Sequence, residues 1–263
     1  MVAVTGTGGL QAAESTHGPA GSAGSGRADA GGVRLTARDI AGLVWCGEMY
    51  GVRADLLASL LGASPDVVRQ LHGRWRRAGL AETGRLGPGP VWCWLTRQGL
   101  EACGLPYAAG QPPLGRLRHV HAVGAVRVAL EAWDVYAGAG AYWRSERRLR
   151  WRLGSSAGRR GHVPDGEVHW PETSPDFAGQ VWCVEVELTA KTAARTAGIM
   201  TQMLNRAADY GDEPRQVGGL RYARVLYVTA PAAVGVVERA RALLPDRVAG
   251  RVEVRSLPAG ALS

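Results

Sequence analysis

Cysteine is scarce in this sequence and shows no pairing pattern. Cys46, Cys93, Cys103 and Cys183 never fall in CxxC or CxxH spacing. That argues against a zinc site and supplies no disulfide framework, so free buried thiols in a reducing compartment are expected. Long apolar runs are missing too. None approaches the roughly 20 residues a membrane span needs. The N-terminus has no basic stretch leading into an apolar one, so neither a signal peptide nor a membrane partner is expected, and the expected location is cytoplasmic. Lysine is nearly absent; the basic residues are almost all arginine. No P-loop, GxGxxG or Ser-His-Asp order stands out.

What is present is basic and globular. The 263 residues are 46% hydrophobic and 21% charged, with a net charge of +8. Such an excess points to a polyanionic partner, nucleic acid before a membrane surface. Codon bias toward arginine gives the same excess, so charge alone does not decide. The length suits two domains, each with its own core.

Residues 1–32 are mostly Gly, Ala, Ser and Thr. They hold too little apolar surface to offset ordering entropy, and a disordered tail is expected. From there a first domain is expected over 33–105. Thr36 caps a helix running to about Tyr50. Arg53 to Leu61 forms a second helix, stopped by Gly62. Ser64-Pro65-Asp66 opens a third, which runs to about Ala78. Leu80–Leu86 and Val91–Leu95, joined by Gly87-Pro88-Gly89-Pro90, read as a hairpin. Thr96 caps a short helix to Cys103. Three helices and a hairpin in this order make a winged helix-turn-helix. Its third helix would enter the major groove of double-stranded DNA, with Arg69, Arg74, Arg76 and Arg77 as contacts. A solvated charged face is the plainer reading of those arginines, and winged helices also serve as protein-interaction modules.

Residues 106–115 read as a Pro/Gly linker, and 116–258 as a second domain. The pattern predicts one long helix from Arg116 to about Tyr136 and a strand over Tyr142–Leu153. A basic loop, GSSAGRRG, follows. HVPDGEVHW and VWCVEVEL read as two strands, and Thr192 to Tyr210 as a helix. Arg224–Thr229 reads as a buried strand, Pro231 to Leu244 as a helix, and Arg251–Leu257 as a last, edge strand. The expected fold class is α/β (α+β), with a mixed sheet in the second domain.

The acidic residues of two of these strands raise a question of chemistry. Strand side chains alternate faces, so Glu185 and Glu187 share one face while Val184, Val186 and Leu188 share the other. Antiparallel pairing of the two runs, with Trp170 opposite Val181, puts Asp165 opposite Val186, in register between the glutamates. Three carboxylates would then lie within reach of one divalent metal, and oxygen-only ligands favour Mg²⁺ or Mn²⁺. Lys191, just beyond, would reach a scissile phosphate or the attacking water. Singly, Pro164-Asp165-Gly166 is most often a turn, Glu-Val-Glu a half-wet strand and Lys191 a surface residue. Weaker candidates are His162, Glu131 and Glu146 near the acidic cluster, and His119 and His121, which do not share a helix face.

A strand with Pro-Asp followed by one with Glu-x-Glu resembles the PD-(D/E)xK nuclease superfamily, and the αβββαβ order fits that superfamily's restriction-endonuclease-like core. More narrowly, HVPDG, VEVELTAKTAAR and RVLYVTAP behind a winged helix are similar to the actinobacterial replication-relaxation family, over roughly residues 35–257. The resemblance implies a protein of a plasmid or other mobile element, acting in replication, relaxation or mobilisation. It implies Asp165, Glu185 and Glu187 as the nuclease-like positions. Glu187 departs from the pattern, because most of the superfamily has lysine there. The expected activity is a Mg²⁺-dependent endonuclease or nickase. The alternatives are a non-catalytic DNA-binding accessory factor or transcriptional regulator, and a protein-interaction adaptor. Other replication or transfer proteins are candidate partners, and a homodimer would allow both strands to be cut.

Overall fold

The computed structural model describes residues 34–154, 162–189, 191–205, 207–208 and 220–262. The expected tail and most of the basic loop lie outside the described residues; the helix expected to reach Tyr210 ends at Asn205, and Ala207–Ala208 are extended instead. The described residues belong to one compact unit, Val33–Ser263.

Local signals set the first part. In α1 (Ala37–Glu48) Thr36 and Asp39 form a reciprocal capping box, each side chain bonded to the other's backbone N–H. A two-residue strand, β1 (Val52–Arg53), leads directly into α2 (Ala54–Leu61). Gly62 ends α2 in the left-handed region (φ 55°), which glycine adopts without penalty. Ser64 caps α3 (Pro65–Arg77), with proline at its first position. On α3, Val68, Leu71 and Trp75 recur at helical spacing and are buried. Strands β2 (Ala81–Gly84) and β3 (Trp92–Leu95) pair antiparallel, and β1 adds to the far side of β3. The sequence reading began the second helix at Arg53 and expected no strand here. Helix α4 (Arg97–Ala102) closes this part, capped by Thr96.

After a 3₁₀ turn at Leu114–Arg116 comes α5 (Leu117–Glu131). The single long helix expected here is two. The chain leaves helical geometry at Trp133 and restarts as α6 (Asp134–Ala139). Trp133 swings out to pack edge-on against Trp170, 5.9 Å between ring centroids. The expected strand over Tyr142–Leu153 is also corrected: only β4 (Tyr142–Ser145) is extended, and α7 (Glu146–Leu153) is helical. Ser145 caps α7 by accepting the Arg148 N–H, and Leu149 and Leu153 bury one helical stripe.

Strands β5 (Gly166–His169) and β6 (Val181–Glu187) follow, then α8 (Ala193–Asn205) and a separate pair, β7 (Ala207–Ala208) and β8 (Leu220–Arg221). The chain ends with β9 (Arg224–Thr229), α9 (Pro231–Ala242), α10 (Asp246–Ala249) and β10 (Val252–Ser256). The large sheet runs β10-β9-β6-β5-β4. Pairing is antiparallel across β4, β5 and β6, and parallel across β6, β9 and β10. The architecture is therefore mixed α/β.

The sheet is covered on both faces. Trp182, Val184, Val186, Leu226 and Val228 join a core that continues through α5 into Leu43, Leu57 and Trp75. The middle of α5 is buried at every position from Val120 to Val126, a stretch with His121 as its one polar side chain, while Arg118, Arg127 and Glu131 lie toward its ends. Gly124 lets it approach the neighbouring helices, since a Cβ there would lie 2.7 Å from Leu56. The opposite face (Val181, Cys183, Val225, Tyr227) packs on α8 and α9 through Met200, Met203 and Val237.

The β5–β6 register is shifted by one residue from the sequence reading. His169, not Trp170, faces Val181, and Gly166 faces Val184. Trp170 lies beyond the ladder, where its ring joins Phe177, Trp182, Trp133 and Tyr136. A one-residue slip exchanges the faces of a strand. Continuing the observed register past the end of β5 brings Asp165 opposite Glu185 instead of Val186, on the carboxylate face of β6. Gly166 is fixed by packing, because a Cβ would sit 1.9 Å from the Trp143 ring on β4.

Candidate functional site

Strands β6 and β9 both end at one edge of the sheet, where Glu187 pairs with Thr229. Carboxyl ends of parallel strands are where open α/β sheets place ligands. A cleft of about 460 Å³ opens there. Asp165, Glu185, Glu187, His119, His162 and Lys191 line it, and Arg116, Arg118, Glu146 and Arg150 extend its wall.

The strands and helices aim each group. Asp165 closes the turn before β5. Its Oδ2 accepts the Val186 N–H at 2.8 Å, and its Oδ1 lies 2.7 Å from His119 Nε2 on α5. Glu185 points from β6 with both oxygens 2.8 Å from His162 Nε2. Glu187 is ion-paired with Lys191, at the end of the turn before α8. All three carboxylates are buried, 8% exposed or less. Each therefore has its own basic partner, His119, His162 or Lys191, as burial of a carboxylate requires. Behind them, Arg116 and Arg150 both bond Glu146.

Burial pushes the Glu185 carboxyl up to about 7, the charge of Asp165 adding to it while His162 opposes. Burial favours neutral His162, but its bond to Glu185 outweighs this and its pKa is raised. His119 follows the same pattern: burial lowers its pKa, the bond to Asp165 raises it, and the net shift is upward. The cleft thus holds groups able to exchange protons near neutral pH.

Among the described residues, no group of three or more His, Cys, Asp or Glu is arranged to hold a metal ion. The donor chemistry, carboxylate oxygen, suits Mg²⁺ or Mn²⁺. The spacing does not suit it while His162 and Lys191 occupy the two glutamates.

Of the weaker candidates, His119, His162 and Glu146 line the cleft. Glu131 does not; it bonds Arg127 and the Trp45 indole. His121 is buried against Trp92. The sequence reading passed over Glu167, which is fully buried on β5, ion-paired with His169 and bonded by the Tyr222 hydroxyl. No local signal marks the Glu167–Tyr222 contact, because the two residues are 55 apart in sequence.

The arginines of α3 form a separate surface. Arg69, Arg76 and Arg77 are exposed, with Gln70 beside them. Arg69 pairs with Asp66, itself exposed, at 2.8 Å. Arg74 differs: it is ion-paired with fully buried Asp39, which also accepts the Trp75 indole N–H at 2.8 Å. Between α3 and the start of α1 lies an open groove of about 1010 Å³, with Arg38, Arg69, Gln70, Gly73 and Arg77 along it.

No family model and no curated protein matches the sequence. A solved structure titled "PigF with SAH" is 15% identical over 85% of this chain, with a TM-score of 0.18. The match spans 64% of that protein's own length. No helix among the described residues is long and apolar enough to cross a membrane.

Proposed function

We propose that the chain binds double-stranded DNA through α3 and the β2–β3 hairpin, as a winged helix-turn-helix, and acts on the phosphodiester backbone in the cleft at the end of β6. The observation that carries this reading is the make-up of the cleft. Asp165, Glu185 and Glu187 line it together with Lys191, the only lysine among the 31 Lys and Arg residues of the chain. A general preference for arginine does not account for a lysine here. A compact ammonium with three rotatable donors suits a phosphate oxygen or an attacking water, where a planar guanidinium is bulkier and less mobile.

In this reading Lys191, Arg116 and Arg118 neutralise the phosphate. Glu185, with a carboxyl pKa near 7 and His162 beside it, takes a proton from water or returns one to the leaving oxygen. A divalent cation would need His162 and Lys191 to leave Glu185 and Glu187; held there with Asp165, it would supply Lewis acidity at a phosphate oxygen. Calorimetric titration of Mg²⁺ and Mn²⁺ tests that part. The reading expects binding by the wild type and its loss in Glu185→Gln. The replication, relaxation or mobilisation of a mobile element is the setting that the resemblance to the replication-relaxation family suggests.

One observation favours a second reading, a DNA-binding accessory factor without catalysis. Each carboxylate already has a basic partner at hydrogen-bond distance, so the cluster is satisfied as it stands without a metal. Tight, salt-sensitive DNA binding with no heat from either metal would favour it.

A further inference from the structure

We propose that two copies of this chain associate through β10, antiparallel about a two-fold axis at Val254, to join their sheets into one. The inference rests on the edge strand alone and is independent of the chemistry assigned to the cleft.

Strand β10 is the last strand of the sheet and, among the described residues, pairs with β9 alone. The bonds from the Val225 N–H to the Arg251 carbonyl and from the Leu257 N–H to the Thr229 carbonyl fix which of its peptide groups face inward. In a parallel ladder these alternate. Arg251, Glu253, Arg255 and Leu257 therefore serve β9, and Val252, Val254 and Ser256 present N–H and C=O outward along the open edge. Such an edge is a template for another strand.

The edge is self-complementary. Antiparallel pairing centred on Val254 matches it with the second copy's Val254, and Val252 with the second copy's Ser256. All of these carry outward peptide groups, so each match is a hydrogen-bonded pair. The same register sets Glu253 opposite Arg255 of the other copy, twice by symmetry. Those are non-hydrogen-bonded pairs, where side chains across a ladder come closest. Centring on Glu253 or on Arg255 would instead oppose like charges. Both side chains are accessible on the uncovered part of the strand, Glu253 at 29% and Arg255 at 45%. Within the chain they bond each other at 2.6 Å, and Arg224 also reaches Glu253 at 3.2 Å, so pairing across the axis exchanges partners between charges already placed at the edge. An isologous contact of this kind uses up both edges and closes at two copies. The sheet's other edge, β4, is four residues long and turns at once into α7.

The test is the mass of the full chain by sedimentation equilibrium over a concentration series. The wild type is expected at twice the chain mass. Arg255→Glu sets Glu253 against a new glutamate across the axis, twice, and should weaken association about tenfold or more. The exchange Glu253→Arg/Arg255→Glu restores opposite charges and should recover the dimer. Val254→Pro removes one outward N–H and no bond to β9, and should also give a monomer, with circular dichroism confirming an intact fold. A wild type that stays monomeric overturns the proposal. So does a dimer that survives both Arg255→Glu and Val254→Pro, or an exchange variant that remains monomeric.

Discussion

Asp39 is the third residue of α1, fully buried, and it ties α1 to α3. Its carboxylate accepts the Thr36 N–H at 2.8 Å, the Thr36 hydroxyl at 2.7 Å and the Trp75 indole at 2.8 Å, and it pairs with Arg74. Burial alone would raise its pKa; the Arg74 bond and the three N–H and O–H donors overcome this and hold it at about 2, against 3.8 for a free aspartate. Asp39→Ala removes the capping box, worth about 1 kcal/mol. It also strands the buried indole N–H and the half-exposed guanidinium; the cost of about 3–5 kcal/mol for a fully buried pair is an upper bound here, because water screens Arg74. For a chain of this size that bound corresponds to a fall in Tm of roughly 6–20 °C. The pH dependence has a definite sign. A depressed carboxyl stabilises the fold above its unfolded pKa, and that stability is lost as pH falls through the folded value. Between pH 4 and 2 the wild type should therefore lose about 2 kcal/mol that Asp39→Asn never had. Urea titrations followed by tryptophan fluorescence at several pH values read both effects. A shift below about 1 kcal/mol for Asp39→Ala, at unchanged m-value, would refute the reasoning.

Arg69→Ala/Arg76→Ala/Arg77→Ala should weaken binding to a duplex oligonucleotide and lower its log–log salt slope by about 0.9 for each phosphate no longer neutralised, read by fluorescence anisotropy. Arg74→Ala should weaken that binding mainly by destabilising the fold, so a melting curve should move before the binding curve does. Gly166→Ala should cost about 1–3 kcal/mol or more, because Trp143 must leave the strand face, and its Tm reports this. His119→Ala should leave the fold intact while loosening Asp165, seen as lower activity with unchanged DNA affinity.

Much of the scaffold was legible because its signals are local. Thr36, Ser64-Pro65, Thr96 and Gly62 mark helix ends by chemistry confined to one turn. The alternation in Val184–Glu187 puts both glutamates on one face, as the strand has them. The failures were tertiary. Leu149, Trp151 and Leu153 alternate like a strand, yet Leu149 and Leu153 are buried and Trp151 is left exposed, because Ser145 starts a helix there. The β5–β6 register depends on where Trp170 packs, and the aromatic partners that hold it include Trp133, just before α6, and Tyr136 on α6. In the cleft, the residues were readable but their partners were not. His119 meets Asp165 across 46 residues and His162 meets Glu185 across 23, distances over which spacing carries no signal.

The central claim is that this cleft acts on DNA, and conversion of supercoiled plasmid tests it most directly. Wild type and Glu187→Ala would be compared in Mg²⁺, in Mn²⁺ and in chelator. The account predicts open-circle or linear product with metal, none in chelator and none from Glu187→Ala, with DNA binding unchanged in the variant. Plasmid left supercoiled by a wild-type protein that binds it, or cleavage that survives Glu187→Ala, would contradict it.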